Sequence, residues 1–212
     1  MPNNGRFVAM PMFLQLQKEK LKYLDALIYI TIRSFNNSDT NECYPAYETI
    51  AERSGMGRTF VTQSIKRLEN AGYLKVKRSK VKHVCNSYSL EKKLPYFECI
   101  PYEIFDCDLT PNQKAMLICL RPLFVEGFLQ CSMSIEKMAE LIGVSYRTVH
   151  AQLTGLITKG YIDRKFIIHK NSDKAHQRFF FSDKIDWVFD YTPKKDIVQQ
   201  SAQNLKIKLK IA

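Results

Sequence analysis

"MGRTFVTQSIKRLENAGYLKVKRSKVKH", residues 56–83, begins with apolar residues at helical spacing and ends in a run of lysine and arginine. Val61, Ile65 and Leu68 fall at i, i+4 and i+7, which is one face of a helix. The opposite face carries Arg58, Thr59, Thr62, Gln63 and Lys66. Gly72 is placed to stop that helix. The residues beyond it read as a strand loaded with Lys75, Lys77, Arg78, Lys80 and Lys82. From Gly57 to Lys82, eight Lys or Arg stand against one acid, a net of +7.

The same outline returns 88 residues later in "VSYRTVHAQLTGLITKGYIDRKFIIHK", residues 144–170. Without a gap, Glu48 answers Glu136, Ala51 answers Ala139, and Glu52 answers Glu140. Gly55 and Gly72 answer Gly143 and Gly160, and Tyr73 answers Tyr161. Val61, Ile65 and Leu68 answer Val149, Leu153 and Leu156. Glycines and apolar positions that match together mark an internal repeat. Upstream, "FVAMPMFLQL" (7–16) is similar to "FECIPYEIFD" (97–106), with Pro11 answering Pro101. An apolar-periodic helix follows each, over 22–35 and 111–124. Charge and Pro95 interrupt the pattern at 91–97. The expected organisation is one unit over 1–92, a second over 93–190, and a basic tail over 191–212. Within the tail, "LKIKLKI" (205–211) alternates apolar and basic residues, which suits either an exposed strand or a frayed end.

Each unit reads as a first long helix, a short helix, a third helix and a strand pair. The short helices are expected at 46–53 and 135–142, ended by Gly55 and Gly143. Ser134 and Ser145 are placed as N-caps in the second copy. The third helices are expected at 58–71 and 146–159, the strand pairs at 73–90 and 161–182. The second pair turns at "KNSDK" (170–174), whose Asn, Ser and Asp suit a tight turn. Tyr73 and Tyr161 are expected in the core. The fold class is mainly α with small β-wings, an α+β chain with two units in tandem.

The chain has 212 residues and a formal charge of +11, which favours a polyanionic partner, nucleic acid before an anionic membrane surface. Its apolar fraction of 45%, with 13 Phe and 11 Tyr, is enough for real cores. No apolar run approaches the roughly 18 residues of a membrane span, and the N-terminus does not read as a secretory signal. The six cysteines lie singly, without C-x-x-C spacing, and the four histidines complete no metal pattern. They read as reduced, mostly core residues of a cytoplasmic, nucleoid-associated protein. No metal, cofactor or small-molecule ligand is expected. No clustered carboxylate set, H-E-x-x-H, P-loop or G-x-S-x-G is present, so the chain does not read as an enzyme.

Two short helices joined by a glycine turn make a helix-turn-helix. In the second copy the outward face of the third helix carries Tyr146, Arg147 and His150, with Ala151 and Thr154. Its strand pair adds Lys165, Lys170 and Lys174. From Ser145 to Arg178, seven Lys or Arg stand against two acids, a net of +5. Such a helix can reach base edges in a major groove, and a basic hairpin can grip phosphates or the adjacent minor groove. Over nearly the whole chain this pattern resembles the winged-helix family. "YETIAERSGMGRTFVTQSIKRLENAGYLKVKR" is similar to the helix-turn-helix domains of phage and plasmid replication proteins and their regulators. The resemblance implies double-stranded DNA as partner, with a role in transcription regulation or in replication initiation. A winged-helix scaffold that joins a protein assembly is the alternative. Whether the chain forms a homodimer stays open.

Overall fold

Alternation in "FVAMP" builds the first strand, β1 (Phe7–Pro11), with Val8 and Met10 turned inward. The computed structural model describes residues 6–11, 16, 18–81, 85–90, 97–124, 129–168 and 175–189. After β1 comes α1 (Tyr23–Arg33), whose residues from Asp25 to Ile32 are all buried. A helix buried on every side belongs at the centre of a fold, and α1 lies there, carrying Asp25 and Thr31 among its buried apolar residues. The rest of the first half follows as β2 (Glu42–Cys43), α2 (Tyr47–Ser54), α3 (Arg58–Asn70), β3 (Lys75–Lys77) and β4 (Ser87–Ser89). Gly55 ends α2 at φ +70, a left-handed turn that β-branched and bulky residues resist.

The second half repeats this order. It runs β5 (Phe97–Pro101), α4 (Glu103–Asp106), α5 (Pro111–Leu120), β6 (Gln130–Cys131), α6 (Ile135–Ile142), α7 (Tyr146–Thr158), β7 (Ile162–Ile168) and β8 (Ala175–Phe181). The expected helix over 111–124 is shorter than its apolar pattern. It stops at Leu120 and continues as a 3-10 turn over Arg121–Leu123. Pro122 is the cause, because it lacks an N–H and its ring would strike the preceding turn. The strand pairs are also shorter than expected in the first half, three residues each, but seven each in the second.

Each half closes on a three-stranded antiparallel sheet, ordered β2-β4-β3 and β6-β8-β7. The two-residue strands β2 and β6 carry too little periodicity to be read from sequence. Their cysteines nevertheless occupy matching places: Cys43 pairs with Tyr88, and Cys131 with Phe179. All four side chains are buried.

The halves are joined by their first strands. β1 pairs antiparallel with β5, setting Phe7 against Pro101, Ala9 against Cys99 and Pro11 against Phe97. Since Phe97 answers Phe7 and Pro101 answers Pro11, this register maps onto itself about the Ala9–Cys99 pair. α1 likewise packs against α5, its own counterpart. A contact in which matching surfaces meet each other is isologous, the mark of a two-fold relation, here inside one chain. α3 packs on α1 and α7 on α5, so the helices follow one another as α3, α1, α5, α7. One hydrophobic core runs through both halves. Arg53 of α2 crosses to the other half, its guanidinium 4.8 Å from the Phe35 ring, 4.5 Å from Phe105 and 5.6 Å from Tyr102. The expected 92/93 boundary and the 191–212 tail lie outside the described residues.

Candidate nucleic-acid interface

α3 is held by its buried face. Val61, Ile65 and Leu68 are sealed in the core, each burial being worth roughly 1.5–3 kcal/mol. A buried ion pair fixes its other flank. Arg67 donates two hydrogen bonds to the wholly buried Asp25 carboxylate of α1, at 2.8 and 2.7 Å. Asp25 also accepts the Lys22 N–H at 2.8 Å, so one carboxylate starts α1 and anchors α3.

What remains outward on α3 is the set expected from sequence. Arg58, Thr59, Gln63 and Lys66 are exposed, and Thr62 is half-buried, donating its hydroxyl to the Arg58 carbonyl at 3.0 Å. Arg58 meets Glu48 at 2.8 Å, with both side chains more than half exposed. A pair so open to water is worth at most about 1 kcal/mol and yields readily to a phosphate. α2 and α3 begin at Ala46 and Gly57 with no side chain bonded to the cap, and no acid stands in the first turn of α3. Their leading N–H groups therefore have no side-chain capping partner at Ala46 or Gly57.

The hairpin after α3 brings Lys75 and Lys77 to one face of β3, both exposed, with Lys80 exposed beyond them. Asn86 fixes its base: it accepts the Ser79 N–H and donates to the Tyr47 hydroxyl of α2 at 2.9 Å. Arg78 is placed differently from its neighbours. Its guanidinium grips the Glu69 carboxylate of α3 through both terminal nitrogens, and that contact holds Glu69 below the usual carboxylate range. Arg78 thus braces the hairpin to α3 and is only partly available to a ligand.

α7 offers a less basic face. Tyr146, Arg147, His150, Ala151 and Thr154 are exposed, and the Tyr146 and His150 rings stack at 5.6 Å. Ser145 caps the helix by accepting the Thr148 N–H at 3.1 Å, and Ser134 does the same for α6 with Lys137 at 3.3 Å. Lys165 is exposed on β7, its ammonium 5.2 Å from the Phe180 ring. Arg164, absent from the sequence-derived set, stands exposed beside it. Alternation puts the two on opposite sheet faces, and Arg164 shares its face with the buried Ile162 and Phe179, so the strand pair expected over 161–182 gave no sign that Arg164 is exposed. Lys159 bonds the Asp108 carbonyl, while Tyr161, buried as expected, donates to the Asp108 carboxylate; burial first, and that bond second, hold its hydroxyl above the usual tyrosine range. Tyr73 is only partly buried, with its hydroxyl on Glu19 at 2.8 Å. Lys82, Lys170 and Lys174 lie outside the described residues.

This geometry can hold a polyanion: a helix with a basic outward face, a second helix end beside it, and a basic hairpin braced to both. Residues 19–74 match a family model described as a helix-turn-helix domain, a span that takes in α1, α2 and α3. No curated protein matches the chain. The first half therefore carries a helix-turn-helix domain, which suggests DNA binding. Among the described residues no group of His, Cys, Asp or Glu is placed to hold a metal ion, and no helix is long and apolar enough to cross a membrane.

Proposed function

We propose that this chain binds double-stranded DNA sequence-specifically through two winged helix-turn-helix units, as a transcription regulator or replication initiator of a plasmid- or phage-like element. It acts as a binder and not as an enzyme. The observation that carries the reading is that α3 and α7 stand at equivalent places in two halves related by the β1–β5 register. Each turns its apolar stripe to the core and its polar face outward.

The internal two-fold relation shapes the target. Helices related in this way meet DNA in opposite senses, so one bound site is an imperfect inverted repeat. Three helix-packing steps of roughly 8–10 Å separate α3 from α7, a reach of roughly 24–30 Å at full stretch. That approaches the roughly 34 Å between successive major-groove half-sites. Two successive half-sites would therefore be read by one chain on DNA bent or compressed enough to bring the grooves within that reach.

The test is selection of bound fragments from the source organism's DNA, plasmids and phages included, followed by footprinting. Clustered copies of the site beside an origin mean an initiator. One or two copies over a promoter mean a regulator. Binding to random duplex should also fall steeply with salt, since phosphate contacts release counterions. No enrichment together with no salt-sensitive binding overturns the DNA reading in favour of a protein scaffold.

A further inference from the structure

Five large apolar side chains stand exposed among the described residues: Tyr44, Val81, Tyr146, Phe166 and Val188. Single exposed apolar residues are common and need no cause. Two of these, however, repeat one pattern. Val81 sits between Lys80 and Lys82 in the first hairpin, and Phe166 follows Arg164 and Lys165 in the second. Each basic hairpin thus carries an apolar side chain inside its run of cations.

The second hairpin shows how the ring is presented. β7 and β8 pair along all seven residues, from Ile162 against Phe181 to Ile168 against Ala175. Alternation places Ile162, Arg164 and Phe166 on one sheet face, together with Phe179 and Phe181. At the base that face is core: Ile162, Phe179 and Phe181 are all buried. Four residues on, about 14 Å along the strand at roughly 3.4 Å per residue, Phe166 is 62% exposed. The Arg164 guanidinium lies 5.8 Å from its ring. The hairpin therefore carries a phenyl ring out of the core on a rigid ladder, with a cation at its side.

A DNA minor groove has apolar sugar walls between two rows of phosphates. An apolar side chain flanked by cations on a narrow hairpin is complementary to it, and such side chains part base steps and kink the duplex. We propose that Phe166 is a minor-groove wedge, and Val81 its shallower counterpart against the sugar walls. The ring enters at a flexible pyrimidine–purine step and bends the DNA there. This rests on the DNA reading above.

The experiment uses the full chain on its selected duplex. End-to-end energy transfer reports bending, and 2-aminopurine placed at the step beneath the second hairpin reports unstacking. The wild-type chain is expected to shorten the end-to-end distance and brighten the probe. Phe166→Ala should lose both signals and bind roughly tenfold more weakly, with an unchanged melting temperature because the ring is exposed. Phe166→Leu, an apolar wedge of smaller size, should keep part of the bend, and Val81→Ala all of it. A bend and probe signal that survive in Phe166→Ala, while Lys66→Ala still weakens binding, overturn the wedge and leave the DNA reading standing. Absence of any salt-sensitive duplex binding by the wild-type chain overturns both.

Discussion

The two halves place the third helix on the first by different physics at the same two positions. In the first half these are Asp25 and Arg67, a buried ion pair. Eighty-eight residues on they are Gln113 and Gly155. Gln113 closes a capping box with Thr110 at the start of α5, and a β-carbon on Gly155 would run into the Gln113 amide. One half uses charge to bridge a gap; the other removes a side chain so that the helices approach. The helix ends differ in the same spirit. Ser134 and Ser145 cap the second half's pair, where Ala46 and Gly57 leave the first half's uncapped by a side chain. The repeat teaches that a shared fold constrains the apolar positions and leaves the polar fastenings open to change. It also leaves the halves unequal in charge, with the more basic face and the helix ends uncapped by a side chain both on the first.

The largest way to break this comparison is Arg67→Ala. It strands the Asp25 carboxylate in the core and should cost about 3–5 kcal/mol in denaturant-measured stability. Gly155→Ala should stay within about 1 kcal/mol, because helix propensity gained offsets the displaced capping amide. Equal losses at both sites would mean that the two fastenings are not alternatives.

Next in size are the outward faces. Arg58→Ala or Lys66→Ala should weaken binding by roughly 1–3 kcal/mol and relax specificity at one position, read by competition against variant sites. Arg147→Ala should do so less, because its half has fewer cations around it. Lys77→Ala or Lys80→Ala should weaken all sequences alike and lower the salt slope by about 1. Affinity unchanged by either set would remove α3 and its hairpin as the DNA surface.

The helix ends offer a finer probe. Ser145→Ala should cost about 1 kcal/mol of stability. Gly57→Ser should add a few tenths, as Gly57 lies at φ −68 with nothing within 4 Å of a new β-carbon. If the α3 end also meets a phosphate, that same change should weaken DNA binding.

The smallest effect expected is chemical. Burial pushes the Cys43 and Cys119 thiols up to about 12, so at pH 8 they stay protonated and resist alkylation. Cys85 is exposed on the first hairpin and should label readily, more slowly once DNA is bound. Equal labelling with and without DNA would place that hairpin away from the duplex.

The helices and their outward polar faces were legible in the sequence alone. Their signal is periodicity, which depends on residues within a few turns of each other. Val61, Ile65 and Leu68 announce their own face, and so does Lys66 on the other. Tertiary structure alone decided the pairing of β1 with β5, because five-residue strands name no partner. It decided how each arginine is engaged: Arg67 is drawn inward by the buried Asp25, while Arg58 and Arg78 keep exposed pairs with Glu48 and Glu69. It also decided that the two units share one core and face each other across an internal two-fold. Such a relation arises from long-range contacts between α1 and α5, and no local pattern encodes it.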